Sequence, residues 1–169
     1  MNQLSPVRFA LAPTTTQAAQ LQRQAQSHEL AQLQAQQPAA PGISLAARIE
    51  SGELLVEAGR DWLAVQPGLE TTGPALLLAA LEDLLARRAR AVVAVAQGMP
   101  LPPTQQIRGS GLIRVSSTGV HIAGCPEPVL VEEDALPAWA LTAASSEGLS
   151  RIFADECGWW LEVVHASGC

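Results

Sequence analysis

The chain has 169 residues, of which 48% are hydrophobic and 15% are charged, and its formal net charge is −6. This length and composition predict one globular domain with an appendage and exclude a chain that is disordered throughout. The acidic balance argues against nonspecific binding to nucleic acid, because phosphate groups would be repelled over most of the surface.

The composition also bears on the source and the compartment. All ten basic residues are Arg, and together with abundant Ala this indicates a GC-rich gene and favours a bacterial source. The three Cys residues are an odd number without a C-x-x-C pair, which is typical of a reducing compartment. The longest apolar stretch, Ala75–Ala96, contains five charged residues and is unsuited to crossing a membrane. We therefore expect a cytoplasmic protein.

Residues 1–41 are predicted to form an N-terminal arm and linker, and they contain ten Gln residues. Thr14–Thr16 can cap a helix from Gln17 to Gln37, for which Gln and Ala are favourable residues. The large apolar residues of this helix form no continuous stripe, so the arm is predicted to be helical or partly disordered unless it docks on a core or a partner. The residues that such docking would bury are Leu21, Leu30 and Leu33.

A break in composition at Pro38–Gly42 separates this arm from a compact domain, residues 42–169. The first part of the domain alternates apolar and polar residues between short turn signals, which predicts an antiparallel meander. Its strands are expected at Ile43–Ile49, Leu54–Ala58 and Trp62–Gln66.

One strong helix is predicted from Pro74 to Gln97, because Pro suits a first helical turn and Leu recurs at helical spacing after it. Asp83 and Arg87 are four residues apart and are expected to pair on the solvent side of this helix. Gly98–Pro103 is predicted to end the helix and to act as a rigid connector.

The rest of the chain is predicted to be mostly β-structure, with two hairpins indicated by turn residues between apolar runs. The expected strands are Gly111–Val115, Val120–Ala123, Val129–Val131, Leu149–Ala154 and Trp159–His165, with a short helical segment in Ala135–Ala144. The predicted fold class is α+β, with antiparallel sheet(s) packed against one main helix and an N-terminal helical or partly disordered arm.

No metal or cofactor site is predicted. A structural zinc ion needs about four ligands, which usually come in close pairs. The only close pair is His165 and Cys169, and Cys125 and Cys157 would have to reach it from separate loops.

No catalytic residue is predicted either. Cys157 and His165 would lie roughly 26 Å apart along a straight strand, and the pair Cys125 and His121 lacks a third residue to orient it. The alternative is a small enzyme or ligand-binding domain with a pocket near His121 and Cys125, to which His165 would also contribute.

The Trp residues point to protein contacts instead. Trp159 and Trp160 are adjacent on a predicted strand and must face opposite sides of it. One can enter the core, whereas the other is either covered by a helix or exposed as an anchor, since Trp is enriched at interface hot spots. Trp62 is a further candidate.

These observations favour a non-enzymatic, bacterial, cytoplasmic protein-interaction module. Such a protein would be an adaptor or chaperone-like protein, for example an accessory protein of assembly or secretion, that binds a protein partner or itself. A structural subunit of a larger assembly is a further alternative. The candidate interaction residues are Leu21, Leu30, Leu33, Trp62, Trp159 and Trp160.

Overall fold

The computed structural model describes residues 4–39, 42–108, 111–145 and 150–166. The chain divides into two compact units, which we call the sheet unit (residues 1–23 and 106–169) and the helical unit (residues 24–105). This division does not coincide with the predicted boundary between residues 41 and 42.

The described part of the chain forms nine strands and six helices. The strands are β1 (Leu4–Ala12), β2 (Pro38–Ala39), β3 (Ile43–Ser44), β4 (Ile107–Arg108), β5 (Ile113–Val115), β6 (Gly119–Ile122), β7 (Val129–Val131), β8 (Ser150–Asp155) and β9 (Gly158–Ala166). The helices are α1 (Thr15–Gln36), α2 (Leu45–Glu50), α3 (Val56–Ala64), α4 (Pro74–Arg90), α5 (Val92–Ala96) and α6 (Ala138–Ala144).

The sheet unit is built on a seven-stranded antiparallel sheet in the order β4-β8-β9-β1-β7-β6-β5. The two predicted hairpins are confirmed as β5–β6 and β8–β9, and the predicted strand and short helix between them are β7 and α6. Leu149, the first residue of one predicted strand, lies outside the described residues.

Strand β1 was not predicted, and it lies inside the sheet. It pairs with β9 on one side and with β7 on the other. Buried and exposed side chains alternate along it as a half-buried strand requires, with Phe9 and Leu11 buried and Arg8 exposed. The expectation that the first 41 residues contain only a helical or disordered arm is therefore corrected, because their first part is a central strand.

The sheet has one buried face and one exposed face. The buried face, which we call the core face, carries Phe9, Leu11, Ile152, Leu161 and Val163 on three adjacent strands. Helix α6 contacts β9, and its Trp139 ring lies 5.9 Å from the Phe9 ring. The opposite face, which we call the outer face, carries the even-numbered residues of β1 and their register partners.

Helix α1 begins where the sequence predicts it. The side chain of Thr14 accepts from the backbone N–H of Gln17, and the Gln17 side chain accepts from the Thr14 N–H, which is a capping box. The large apolar residues of α1 form no continuous stripe, since Leu33 is exposed, but the helix still buries one face. That face is made of small and polar residues as well as Leu, namely Leu21, Ala25, His28, Ala31, Gln32 and Ala35.

The meander predicted in residues 43–66 is wrong, since α2 and α3 occupy most of this segment. Ser44 caps α2 by accepting from the N–H of Ala47, and Leu45 and Ala46 are buried at its start. Gly59 lies inside α3 and is buried. A Cβ atom there would come within 2.7 Å of Ile49 Cδ1 and 3.1 Å of Leu81 Cδ2, so glycine permits the close approach of the helices.

Helix α4 was predicted, and its Leu stripe is buried in the core of the helical unit. The single helix predicted to reach Gln97 is two helices, α4 and α5, because the chain leaves helical geometry at Ala91. The core contains Leu45, Leu63, Leu69, Leu77, Leu81 and Leu84, together with Ala46 and Ala80 and with Ala31 and Ala35 of α1.

The fold class is α+β with an antiparallel sheet, as predicted. The finer expectation of sheets packed against one main helix is confirmed only in part, because the sheet and the main helix α4 belong to different units. In the sheet unit the short helix α6 contacts β9, and in the helical unit α4 contacts α2 and α3.

Candidate functional site

The outer face of the sheet carries a cluster of Arg, aromatic and acidic side chains. Arg8 on β1 and Arg151 on β8 both pair with Glu162, which lies on β9 between them. Arg8 Nε donates to Glu162 Oε2 at 3.0 Å, and Arg151 Nε donates to Glu162 Oε1 at 2.7 Å. One buried carboxylate therefore fixes the orientation of two guanidinium groups.

The same two guanidinium groups stack on one aromatic ring. The Arg8 and Arg151 Cζ atoms lie 5.0 Å and 4.7 Å from the centre of the Phe153 ring, within the range of cation–π attraction. Phe153 is two residues after Arg151 on β8, so both side chains project from the same face of the strand. The ring and the carboxylate together hold the guanidinium groups in place.

Trp160 extends this cluster along β9. It pairs with Phe153 on one side and with Ala10 on the other, and its indole Nε1–H donates to Asp155 Oδ1 at 2.8 Å. Asp155 also accepts from the backbone N–H groups of the tight turn that follows it. The indole ring thus has a fixed orientation on the outer face. We call Arg8, Arg151, Phe153, Asp155, Trp160 and Glu162 the Arg–aromatic cluster.

The two carboxyl groups of the cluster have shifted pKa values. Burial by itself would raise the pKa of Glu162, but the hydrogen bonds from Arg151 and Arg8 outweigh it and hold the pKa below its usual range. The pKa of Asp155 is lowered chiefly by the Trp160 hydrogen bond, followed by the backbone N–H of Cys157. Both carboxyl groups are therefore ionised at neutral pH.

The cluster still has hydrogen-bond donors to offer. Among the described residues, the two terminal nitrogens of Arg8 and Nη2 of Arg151 have no hydrogen-bond partner. The Arg8 side chain is 51% exposed and that of Arg151 is 36% exposed. Arg108 pairs with Arg151 in the register of β4 and β8, so its side chain lies on the same face.

Two small residues of β1 lie beside the cluster on the outer face. Ala10 and Ala12 follow Arg8 on the same face of β1, and Ala12 pairs with Leu130 of β7. Leu130 is 53% exposed, and Trp160 flanks Ala10 from the other neighbouring strand. Ala10 thus lies between Trp160 and the exposed Glu132, whose backbone N–H donates to the Ala10 carbonyl oxygen, and Ala12 lies beside Leu130.

A second polar cluster lies in the helical unit. It joins residues 98–105, which follow α5, to helices α1 and α4 by hydrogen bonds. Gln32 Oε1 accepts from the Arg87 side chain and from the Thr104 N–H, and Gln32 Nε2 donates to Asp83 Oδ2 at 3.0 Å. His28 Nδ1 lies 3.0 Å from the Thr104 carbonyl oxygen. Since Asp83 is buried, the prediction that it pairs with Arg87 on the solvent side is wrong: the pair exists, at 3.7 Å, but its carboxylate is inside.

The predicted interaction residues are distributed over both units. Leu21 is fully buried on α1, and Leu30 and Trp62 pack against the core of the helical unit. Leu33 is 39% exposed. Trp159 and Trp160 face opposite sides of β9, as expected, and only Trp160 belongs to the Arg–aromatic cluster.

The residues of the alternative enzyme hypothesis do not form a described site. His121 pairs with Arg114 on the outer face, and burial raises the pKa of the half-buried Cys125. Cys157 is exposed, and the His165 side chain and Cys169 lie outside the described residues. Within the described ranges, no group of His, Cys, Asp and Glu side chains is arranged to hold a metal ion.

Most of the Arg–aromatic cluster was not anticipated from the sequence. Arg8, Phe153, Arg151 and Glu162 became a group only through the pairing of β1 with β9 and of β8 with β9. The available signal was the alternation of Arg151, Phe153 and Asp155, which places them on one face of a predicted strand.

Comparison with protein-family models and with curated protein sequences gives no match for this chain. In the part of the chain that the structure describes, no helix has both the length and the apolar character that a membrane crossing requires.

Proposed function

We propose that this protein is a protein-interaction module, an adaptor or chaperone-like protein of the bacterial cytoplasm, that binds its partner through the outer face of the sheet unit. The observation that supports the proposal is Phe153 stacked by two guanidinium groups that share the Glu162 carboxylate. Arg and aromatic side chains are the residues that contribute most to binding at protein interfaces.

The order of these side chains also supports the proposal. Long Arg side chains ordinarily lose rotamer freedom on binding, which costs about 0.5–1.5 kcal/mol for each immobilised side chain. Here each guanidinium group is already held by a carboxylate and an aromatic ring. Binding of a partner to these guanidinium groups therefore costs less side-chain conformational entropy.

The proposal is tested by photo-crosslinking from the outer face. A photoreactive amino acid is placed at Ala12, which is exposed at the end of β1, and for comparison at Arg23, which is exposed on α1. We expect a defined protein adduct from position 12 and none from position 23 in cells that naturally produce the chain. Equal labelling from both positions, or none from position 12, would count against the outer face as the binding surface.

A further inference from the structure

We infer that helices α1 and α4 carry a second binding site, which recognises an extended segment of a partner protein with two consecutive prolines. In this structure the chain's own residues 101–105, Leu-Pro-Pro-Thr-Gln, occupy that site, and we call them the proline segment. The site lies in the helical unit and uses no residue of the outer face, so it goes beyond the proposed function.

Side chains of α1 bind the proline segment at two positions. Gln36 Nε2 donates to the Leu101 carbonyl oxygen at 3.1 Å, and Gln36 Oε1 accepts from the Leu101 N–H at 2.9 Å. Gln32 Oε1 accepts from the Thr104 N–H at 3.1 Å, and His28 Nδ1 lies 3.0 Å from the Thr104 carbonyl oxygen. The three side chains are four positions apart on the helix, so one face of α1 meets the backbone of the segment.

Helix α4 binds the middle of the proline segment and its Thr side chain. Arg87 Nη1 donates to the Pro102 carbonyl oxygen at 2.7 Å, while its Nη2 donates to Gln32 Oε1. The Thr104 hydroxyl lies 3.2 Å from Gln32 Oε1 and 3.5 Å from Asp83 Oδ2. The two helices therefore bind backbone groups at three positions of the segment and one side chain.

The proline segment is held by side chains and not by backbone partners. Among the described residues, no backbone–backbone hydrogen bond involves residues 99–104. Gln32 is fully buried, and burying a polar side chain costs free energy unless it finds hydrogen-bond partners. A segment whose backbone groups lay at other positions would lose the hydrogen bond to Gln32, which weakens binding at a buried site. The site therefore selects its ligand by the positions of these backbone groups.

Two consecutive prolines match the acceptors of the site. Acceptor atoms face the N–H groups of Leu101 and Thr104, and the residues between them, Pro102 and Pro103, have no N–H to donate. Consecutive prolines also favour an extended polyproline II conformation before binding, so less conformational entropy is lost on binding. The ligand is thus an extended segment with Pro-Pro between an apolar residue and Thr.

A partner must displace the proline segment, because the segment is part of the same chain. Its attachment between α5 and β4 gives it an effective concentration at the site on the order of millimolar. The natural chain therefore binds such a partner weakly, and a change that loosens the proline segment strengthens the binding. The segment acts as a competitive inhibitor of its own site.

Fluorescence anisotropy with a labelled peptide tests the inference. The peptide has the sequence of residues 99–105, Met-Pro-Leu-Pro-Pro-Thr-Gln, and is added to the natural chain and to the full-length variant Pro102→Gly, Pro103→Gly. We expect saturable binding to the variant and at least about tenfold weaker binding to the natural chain, because the natural segment competes. A peptide with Ala in place of the two adjacent prolines should bind the variant at least about threefold more weakly.

Variants of α1 show where the peptide binds. Gln36→Leu, combined with the two Gly substitutions, should weaken peptide binding at least about fivefold, because it removes two hydrogen bonds at the position of Leu101. Gln26→Leu makes the same change at an exposed position of α1 and should leave the affinity unchanged.

The natural chain provides a second measurement that does not depend on the folding of the Gly variant. Unlabelled peptide at millimolar concentration should displace the proline segment and shift the Thr104 amide NMR signal saturably. The peptide with Ala in place of the adjacent prolines should shift this signal less at the same concentration.

Four results would overturn the inference. The first three are no binding to the folded Gly variant, equal affinity for the Pro and Ala peptides, and an affinity that does not depend on Gln36. The fourth is equal affinity of the natural chain and the Gly variant, which would show that the proline segment does not compete for the site. Dimers of the natural chain that the Gly variant does not form would overturn the assignment to a partner protein, since the occupant would then be a second copy.

Discussion

Arg8 and Glu162 are 154 positions apart in the chain, and yet Arg8 Nε donates to Glu162 Oε2 at 3.0 Å on the outer face of the sheet. The contact exists because β1 pairs with β9 over most of its length, with these two residues directly opposite each other. Since Glu162 also accepts from Arg151, one carboxylate connects three adjacent strands.

Glu162→Gln should make the stability of the sheet unit less dependent on pH in acid. The folded-state pKa of Glu162 is lowered from its ordinary value of 4.5, so its ionised form contributes stability above that value. This contribution is lost as the pH falls through the lowered pKa. Urea unfolding at a series of acid pH values should therefore show a steeper loss for the natural protein than for the variant. The matched change Glu133→Gln, at an exposed residue, should keep the steep loss.

Trp160→Phe should raise the pKa of Asp155 towards its ordinary value of 3.8, because the indole hydrogen bond is the largest cause of its lowering. The titration of the Asp155 carboxyl carbon, followed by NMR, measures this change directly. Trp159→Phe is the matched control, since Trp159 lies on the opposite face of β9. Identical titrations of Asp155 in the two variants would show that the hydrogen bond does not set its pKa.

Gln32→Leu should destabilise the helical unit by about 2 kcal/mol, since it removes several hydrogen bonds between buried polar groups at once. The Gln32 oxygen accepts from Arg87 and from the Thr104 N–H, and its amide donates to Asp83 and to the Ala80 carbonyl group. Denaturant unfolding measures the change. Gln26→Leu makes the same substitution at an exposed position of the same helix and should cost little.

A chain that begins at Gly42 should fail to form the sheet. It lacks β1, which is hydrogen-bonded to β9 on one side and to β7 on the other, so its removal divides the sheet in two. It also lacks α1, whose buried face includes Leu21 and Ala35. We expect poor dispersion in its amide NMR spectrum. A well-dispersed spectrum with the native β8–β9 signals would contradict the role that we assign to β1.

The sequence allowed the second half of the sheet to be predicted because its strands alternate regularly and are joined by short turns. The size of a residue was a poor guide to its burial on α1. On α1 the buried face is completed by His28, Gln32 and several Ala residues, whose burial depends on partners from distant segments. On α2 the apolar residues fit a period of two as well as a helical period, and the Ser44 cap favours the helix.

The candidate site could be predicted from the sequence only in part. Trp160 was identified, because residues alternate between the two faces of β9. Its companions Arg8, Phe153, Arg151 and Glu162 are ordinary residues of exposed strands when they are considered one at a time. Their common position is a property of strand order and register, which local patterns do not contain.

The most direct test of the account is the affinity of the crosslinked partner for the full chain, measured by calorimetry. We compare the natural protein with the double variant Arg8→Ala, Arg151→Ala, and with the control Arg23→Ala, Arg60→Ala, which removes the same number of charges elsewhere. We expect the first double variant to bind at least about tenfold more weakly and the control to bind as the natural protein does. Equal affinities in all three would show that the Arg–aromatic cluster does not form the binding surface.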